Sequence, residues 1–238
     1  MEFENVYEDA QRADAYATLE FPGTYYLAYR DIPEILKRHV HGTIALDFGC
    51  GTGRSTRFLT QLGFDTIGVD ISSDMVKKAR ERDPAGTYHV IDAGDLGLIP
   101  AQHCDVVFSA FTFDNIPTLE QKLANFQEIR RALSMQGRFV NLVSSPEIYT
   151  HEWASFTTKD FPENAFAKSG DRVKIIMTDV ADSRPVEDVL WTDEAYRDLY
   201  QQAGLDVVAV YRPLGHADEP FQWINETRVA PWCIYVLQ

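Results

Sequence analysis

Cysteine is scarce in this chain: Cys50, Cys104 and Cys233 are the only three among 238 residues, and none shares a C-x-x-C spacing. Such a spacing would be the first sign of a zinc site or a disulfide framework, so reduced thiols are expected instead. No His, Asp or Glu cluster has metal-ligand spacing either, and no metal is expected. Long apolar runs are missing; nothing approaches the roughly 18 residues that would predict a membrane helix. The first residues, MEFENVYEDAQRADAY, are acidic and polar, which predicts no signal peptide and a cytoplasmic protein. Positive charge is also short: 22 Lys and Arg stand against 36 Asp and Glu, a net charge of −14. Phosphate backbones and anionic lipids need a cationic footprint. The dense basic spots, Lys77-Lys78-Ala79-Arg80 and Arg130-Arg131, fall on predicted helices, where they read as solvated faces. Neither nucleic acid nor a membrane is an expected partner. Repeats and low-complexity linkers are absent as well, so one domain spanning 1–238 is expected.

What is there is a rhythm of strands and helices. Residues 1–40 read as helical, with Tyr7, Ala10, Tyr16 and Leu19 near helical spacing and Pro22-Gly23 as a break. A helix over 31–39 carries Pro33 in its first turn. Strands are predicted at 43–48, 65–70, 87–92, 104–111 and 138–143, with helices over 54–61, after Ser72 or Ser73, and over 120–135, the last stopped by Gly137. This alternation predicts an α/β fold: a Rossmann-like, mostly parallel sheet with helices on both faces. The rhythm breaks at 145–171, a loop-rich stretch holding Tyr149, Trp153, Phe156, Phe161 and Phe166. An antiparallel strand pair is predicted at 172–179 and 186–191. A helix over 192–204, capped by Thr192 or Asp193 and ended by Gly204, then leads to strands at 205–212 and 232–237. These bring the sheet to seven strands.

The densest signal is 45-ALDFGCGTGRSTRFL-59, where Gly49, Gly51 and Gly53 follow a buried strand ending in Asp47. In an open α/β sheet, ligands bind beyond the carboxyl ends of the strands, beside the first strand. Glycine there permits positive φ and removes the Cβ that would block a ligand. A tight turn without a ligand would also use glycines. The dinucleotide pattern G-x-G-x-x-G fails in both registers, because Arg54 or Thr56 stands where the last glycine belongs. No lysine follows, so the loop is no P-loop. Asp47 would repel a pyrophosphate and suits a cationic ligand group. Asp70 ends the second strand, as a cap or as an acceptor of two hydroxyl protons. Asp92 is a cap or a ligand contact, Met75 core filler or a ligand contact, and Cys50 a small loop residue without a partner to activate its thiol.

D-F-G-C-G-T-G after one strand and G-V-D-I-S ending the next resemble the class I S-adenosylmethionine-dependent methyltransferases. The resemblance covers 42–143 and, more weakly, 192–212. It implies S-adenosyl-L-methionine as cofactor and a site made by Asp47, Gly49, Cys50, Gly51 and Gly53. Asp70 would take the ribose hydroxyls, with Ile71 beside it. Met75 and Asp92-Ala93 would meet the adenine, and Ser109 and Phe111 the methionine portion. The segment 1–40 resembles the helical lid of small-molecule members, with Tyr16 and Tyr26 facing the cofactor. The core would span 42–143, an acceptor-side cap 145–191, and a closing helix and strands 192–238. The cap and the ending APWCIYVL resemble the toxoflavin-synthase-like kind, which act on nitrogen heterocycles.

The expected function is methyl transfer by in-line displacement to the N or O of a small molecule, by a monomer or homodimer. No catalytic residue is assigned. Asp114, in 109-SAFTFDNIP-117, is a base, a holder of a cationic substrate, or a turn aspartate before Pro117. His151 and His216 lie in loops as candidate bases or bystanders. The absence of N-P-P-Y weighs against adenine or glutamine acceptors. Two alternatives stay open: a non-catalytic cofactor-binding protein on this fold, and a nicotinamide-dependent oxidoreductase, which the missing third glycine disfavours.

Overall fold

The computed structural model describes residues 23–180 and 182–238. Two short helices, α1 (Thr24–Arg30) and α2 (Ile32–His39), meet at Asp31 and bury Leu27, Ala28, Ile32, Ile35 and Leu36. Then come β1 (Ile44–Phe48), α3 (Arg54–Gln61), β2 (Asp65–Asp70), α4 (Ser73–Arg82), β3 (Thr87–Val90) and β4 (Cys104–Ala110). A 3-10 turn over Thr112–Asn115 leads to α5 (Leu119–Ala132) and β5 (Leu133–Ser144). The strands β6 (Phe156–Thr157), β7 (Arg172–Met177) and β8 (Val186–Val189) follow, then α6 (Asp193–Gln202), β9 (Val207–Tyr211) and β10 (Trp232–Leu237).

Seven strands form one sheet in the order β3-β2-β1-β4-β5-β10-β9. Every pairing is parallel except those of β10, which runs antiparallel to both neighbours. The chain order reverses between β1 and β4, so the carboxyl end of β1 is the switch point where such sheets bind ligands. Alternation along the strands feeds two cores. Ala45, Val106, Phe108, Val140 and Ile234 face α1, α2 and Leu59 of α3. Leu46, Val107, Phe139, Val143 and Tyr235 face Phe126 and Ile129 of α5 and Tyr196, Leu199 and Tyr200 of α6. A sheet covered on both faces has strands with no polar side, and all six residues of β10 are buried.

Several expected elements shift. The long helix ends at Ala132, not Met135, and Gly137 does not stop it. Thr118 caps its start by accepting the Gln121 N–H. The chain turns straight into β5, where Cys104 pairs with Leu133 but Val106 pairs with Arg138, so residues 134–137 bulge out of the ladder. A Cβ on Gly137 would lie 2.6 Å from the Cys104 carbonyl oxygen, so backbone approach explains this glycine. Met135, which had extended the helical spacing, is 82% exposed. β3 is shorter than predicted, and β4 stops at Ala110 because Phe111 takes φ 63°. The segment beyond β5 carries three antiparallel strands, ordered β6-β7-β8, where a pair was expected. The two-residue β6 was too short to leave a period.

Glu226 joins α1, the segment leading into β6 and the C-terminal loop. It is fully buried. Its Oε1 accepts the Thr24 hydroxyl and the Ala154 N–H, both at 2.7 Å. Its Oε2 accepts the N–H groups of Ile224 and Asn225 at 2.8 and 3.1 Å. A carboxylate is the one side chain that only accepts. Glu226→Gln turns an amide NH₂ toward two of these donors, and unmet buried donors cost about 1–3 kcal/mol. Urea unfolding of the variant should show a loss of that size.

Candidate active site

The site begins with the turn after β1. The Val69 carbonyl of β2 accepts the N–H groups of both Gly49 and Cys50 at 2.9 Å. The backbone then winds through positive φ at Gly49 (74°), Gly51 (52°) and Gly53 (80°) into α3. Two of these glycines answer to different demands. A Cβ on Gly49 would lie 2.1 Å from the Thr112 hydroxyl oxygen, whereas no described atom lies within 4 Å of a Cβ on Gly51. Gly49 is needed by the fold, and Gly51 keeps a face clear.

Two carboxylates flank that face. Asp47 is fully buried, and its Oδ2 accepts the hydroxyls of Ser55 and Thr56 at 2.6 Å. Its Oδ1 is buried without a partner, as is the Ser109 hydroxyl at the end of β4. Burial pushes the Asp47 carboxyl up to about 6, against the pull of the Ser55 and Thr56 bonds. Asp70 accepts the N–H groups of Gly51 and Ser72 at 2.8 Å each, and burial raises its carboxyl too. Buried Cys50 has its thiol pushed well up, so it is no thiolate. Beside Asp70, Ile71 is 50% exposed. Asp92 and Ala93 are also exposed, just past β3, which pairs Val90 with Asp70. Met75 is buried on α4. The structure thus gathers Asp47, Gly51, Asp70, Ile71, Asp92 and Ser109 along neighbouring strand ends.

A small cleft, partly open to solvent, lies past the ends of β4, β5 and β10. Its aromatic wall stacks Tyr25 on Trp232 at 5.7 Å and sets Phe111 4.8 Å from Trp232. The αL backbone of Phe111 is strained for a residue with a Cβ; it turns the chain out of β4 into the cleft wall. The polar lining is Asp114, Asn115, Ser144 and Asp188. Asp114 accepts the Ser144 N–H at 3.0 Å, and Asp188 accepts the Tyr149 hydroxyl at 3.0 Å. Behind the wall, fully buried Lys122 donates to the Phe113 carbonyl among the rings of Trp191, Tyr196 and Phe113. Burial raises the carboxyls of Asp114 and Asp188 and lowers the Lys122 ammonium.

Asp114 is therefore a buried cleft residue. Of the other candidates, Tyr26 packs on Phe221 at 5.0 Å. The His151 ring bonds to the Thr150 hydroxyl and the Glu147 carbonyl. The exposed His216 bonds through its N–H to Glu219. None of the three lines the cleft. Tyr16 lies outside the described residues. Tyr25, with Tyr16 and Tyr26 a tyrosine of the expected lid, and Tyr149 of the expected cap both line the cleft. The sequence did not single out Lys122, Asp188 or Trp232, though two of them leave a signal: Lys122 sits on the apolar stripe with Phe126 and Ile129, and Asp188 shares the buried side of its strand with Val186. Among the described residues no group of His, Cys, Asp or Glu could hold a metal ion, and no helix is long and apolar enough to cross a membrane.

Two outcomes follow from this geometry. Gly49→Ala should cost more stability than Gly51→Ala in urea unfolding, because both bear the positive-φ strain but only the first meets Thr112. Asp47 gives a pH signature. Its folded carboxyl holds a proton up to about 6, against 3.8 for the free group. Its stabilising contribution is full below about pH 4 and is lost as pH rises through 6. Between these limits the wild type should lose on the order of 2 kcal/mol relative to Asp47→Asn, read from denaturation at stepped pH.

Residues 46–141 match the family model described as a methyltransferase domain. Over 87 residues the chain is 33% identical to malonyl-[acyl-carrier protein] O-methyltransferase of Hamiltonella defensa, covering 37% of this chain and 33% of that protein. Over 192 residues it is 26% identical to trans-aconitate 2-methyltransferase of Afipia carboxidovorans, covering 78% of this chain and 68% of that one. The chain thus spans about a third of the length of the first relative and about two thirds of the second. Among solved structures, the CcbJ methyltransferase from Streptomyces caelestis superposes with a TM-score of 0.69 at 20% identity, over 99% of both chains. An S-adenosylmethionine-dependent methyltransferase from Mesorhizobium loti gives 0.60 at 18%, over 88% of this chain and 97% of that one. With residues 46–141 matched to a methyltransferase domain and 88% or more of the chain following these two structures, the chain shares the fold of these methyltransferases.

Proposed function

We propose that this protein transfers a methyl group from S-adenosylmethionine to a small molecule held in the cleft. The observation that carries this is the open face of Gly51, flanked by Asp47 and Asp70 at the switch point of the sheet. The residues fit the cofactor's groups. Asp47 Oδ1 and the Ser109 hydroxyl are buried polar atoms in need of partners, suited to the methionine ammonium. The Asp70 carboxylate has acceptor capacity beyond its two backbone bonds, suited to ribose hydroxyls. Exposed Ile71 and the Asp92-Ala93 turn offer an apolar surface and a polar edge to an adenine.

When bound, S-adenosylmethionine supplies an electrophilic methyl group on a sulfonium with a neutral leaving group. The chain's part is then positioning and exclusion of water. Phe111 joins the two halves, since it directly follows the strand that carries Ser109 and also lines the cleft. We read 145–191 as the acceptor-side cap, because Tyr149, Phe156, Ile175 and Asp188 all line the cleft from it. Among the described residues the lining holds two carboxylates and no cation. A polyanion such as trans-aconitate, after which one relative is named, would meet like charge there. The acceptor is thus a different, smaller-charged molecule than that relative's name implies.

Calorimetry with S-adenosylmethionine and S-adenosylhomocysteine tests the assignment. Both should bind, and Asp70→Asn, checked for folding by circular dichroism, should weaken binding at least about tenfold, or about 1.4 kcal/mol. Folded wild-type protein that binds neither compound would sink the proposal.

A further inference from the structure

The cleft carries an arrangement that the cofactor site does not use. Asp114 comes from the turn after β4 and Asp188 from β8 of the cap, yet both line one small space. Each has one oxygen tied to the protein: Oδ2 of Asp114 to the Ser144 N–H, and Oδ2 of Asp188 to the Tyr149 hydroxyl. A carboxylate has about four acceptor positions, so capacity remains on both. Lys122, the cation whose charge reaches both, does not line the cleft. Its ammonium is held by the Phe113 carbonyl and boxed by three aromatic rings, the nearest centre 5.0 Å away. Among the described residues, the carboxylates thus line a space that no cationic side chain lines. The rings of Tyr25, Phe111 and Trp232 complete the wall, with the Arg54 guanidinium 5.3 Å from the Tyr25 ring centre.

We propose that Asp114 and Asp188 form a recognition site for a basic nitrogen, so that the acceptor is a compact amine or N–H heterocycle bound through its N–H groups. The proposal deepens the methyl-transfer assignment and rests on it for the role of that nitrogen as nucleophile. Asp188, steadied by Tyr149, takes the proton from a bound ammonium: the N–H bond breaks, an O–H bond forms on the carboxylate, and the electron pair stays on nitrogen. Burial, and after it the nearby Asp114 carboxylate, disfavours charge on Asp188, and an arriving cation offsets both.

The test uses three probes of one shape, benzylamine, benzyl alcohol and benzoate, titrated by NMR into the full chain with and without S-adenosylhomocysteine. Benzylamine should bind at least about tenfold more tightly than benzoate, with benzyl alcohol between them. Asp188→Asn should erase the preference for the amine, and Asp114→Asn should reduce it. Tyr149→Phe, which leaves both carboxylates in place, should keep the preference. Equal or tighter binding of benzoate by the wild type would overturn the proposal without recourse to any variant, as would a folded Asp188→Asn that still prefers the amine. An amine preference in protein that does not bind S-adenosylhomocysteine would support the nitrogen site while removing the methyl-transfer assignment. Binding of S-adenosylhomocysteine without any amine preference would do the reverse.

Discussion

The Val69 carbonyl oxygen, shared by the N–H groups of Gly49 and Cys50, is the anchor on which the glycine turn and its flanking carboxylates depend. It pins the start of the glycine turn to the neighbouring strand and so fixes where the turn can go. From there the Gly51 N–H reaches Asp70, and the chain enters α3 with Ser55 and Thr56 facing Asp47. Two backbone bonds to one oxygen thus decide the positions of two carboxylates. The turn could not close this way with a side chain at Gly49, because Thr112 already fills that space.

A second constraint is electrostatic. The chain is strongly acidic, with a net charge of −14, and it buries several of its carboxylates at the strand ends. Each is made tolerable locally. Asp47 has two hydroxyls, Asp70 two backbone N–H groups, and Glu226 four donors. Asp114 and Asp188 have one donor bond each, from the Ser144 N–H and the Tyr149 hydroxyl, and share a cleft.

Much of this was legible in the sequence. The spacing of strands and helices located the parallel core, because two periods alternate cleanly between residues 44 and 110. The glycine turn and Asp70 announced themselves through their places after buried strands. The bulge at 134–137 did not, because Met135 continues a helical spacing while pointing at solvent. The acceptor side was least legible. Asp188 and Lys122 each break an apolar pattern, yet what they do depends on contacts between segments far apart in sequence. Tyr25 and Trp232 meet across the cleft from opposite ends of the chain, a pairing that no local period records.

Glu226 has a consequence for how such a chain can change. Its carboxylate ties α1, the segment 145–191 at Ala154 and the C-terminal loop into one knot. A cap grafted from another chain would have to bring an N–H to the same spot or leave a buried charge short of a partner. The cap is therefore not an interchangeable module. New acceptors are more readily reached one side chain at a time, by substitution among the residues that face the cleft, with the knot and the outline of the walls left intact.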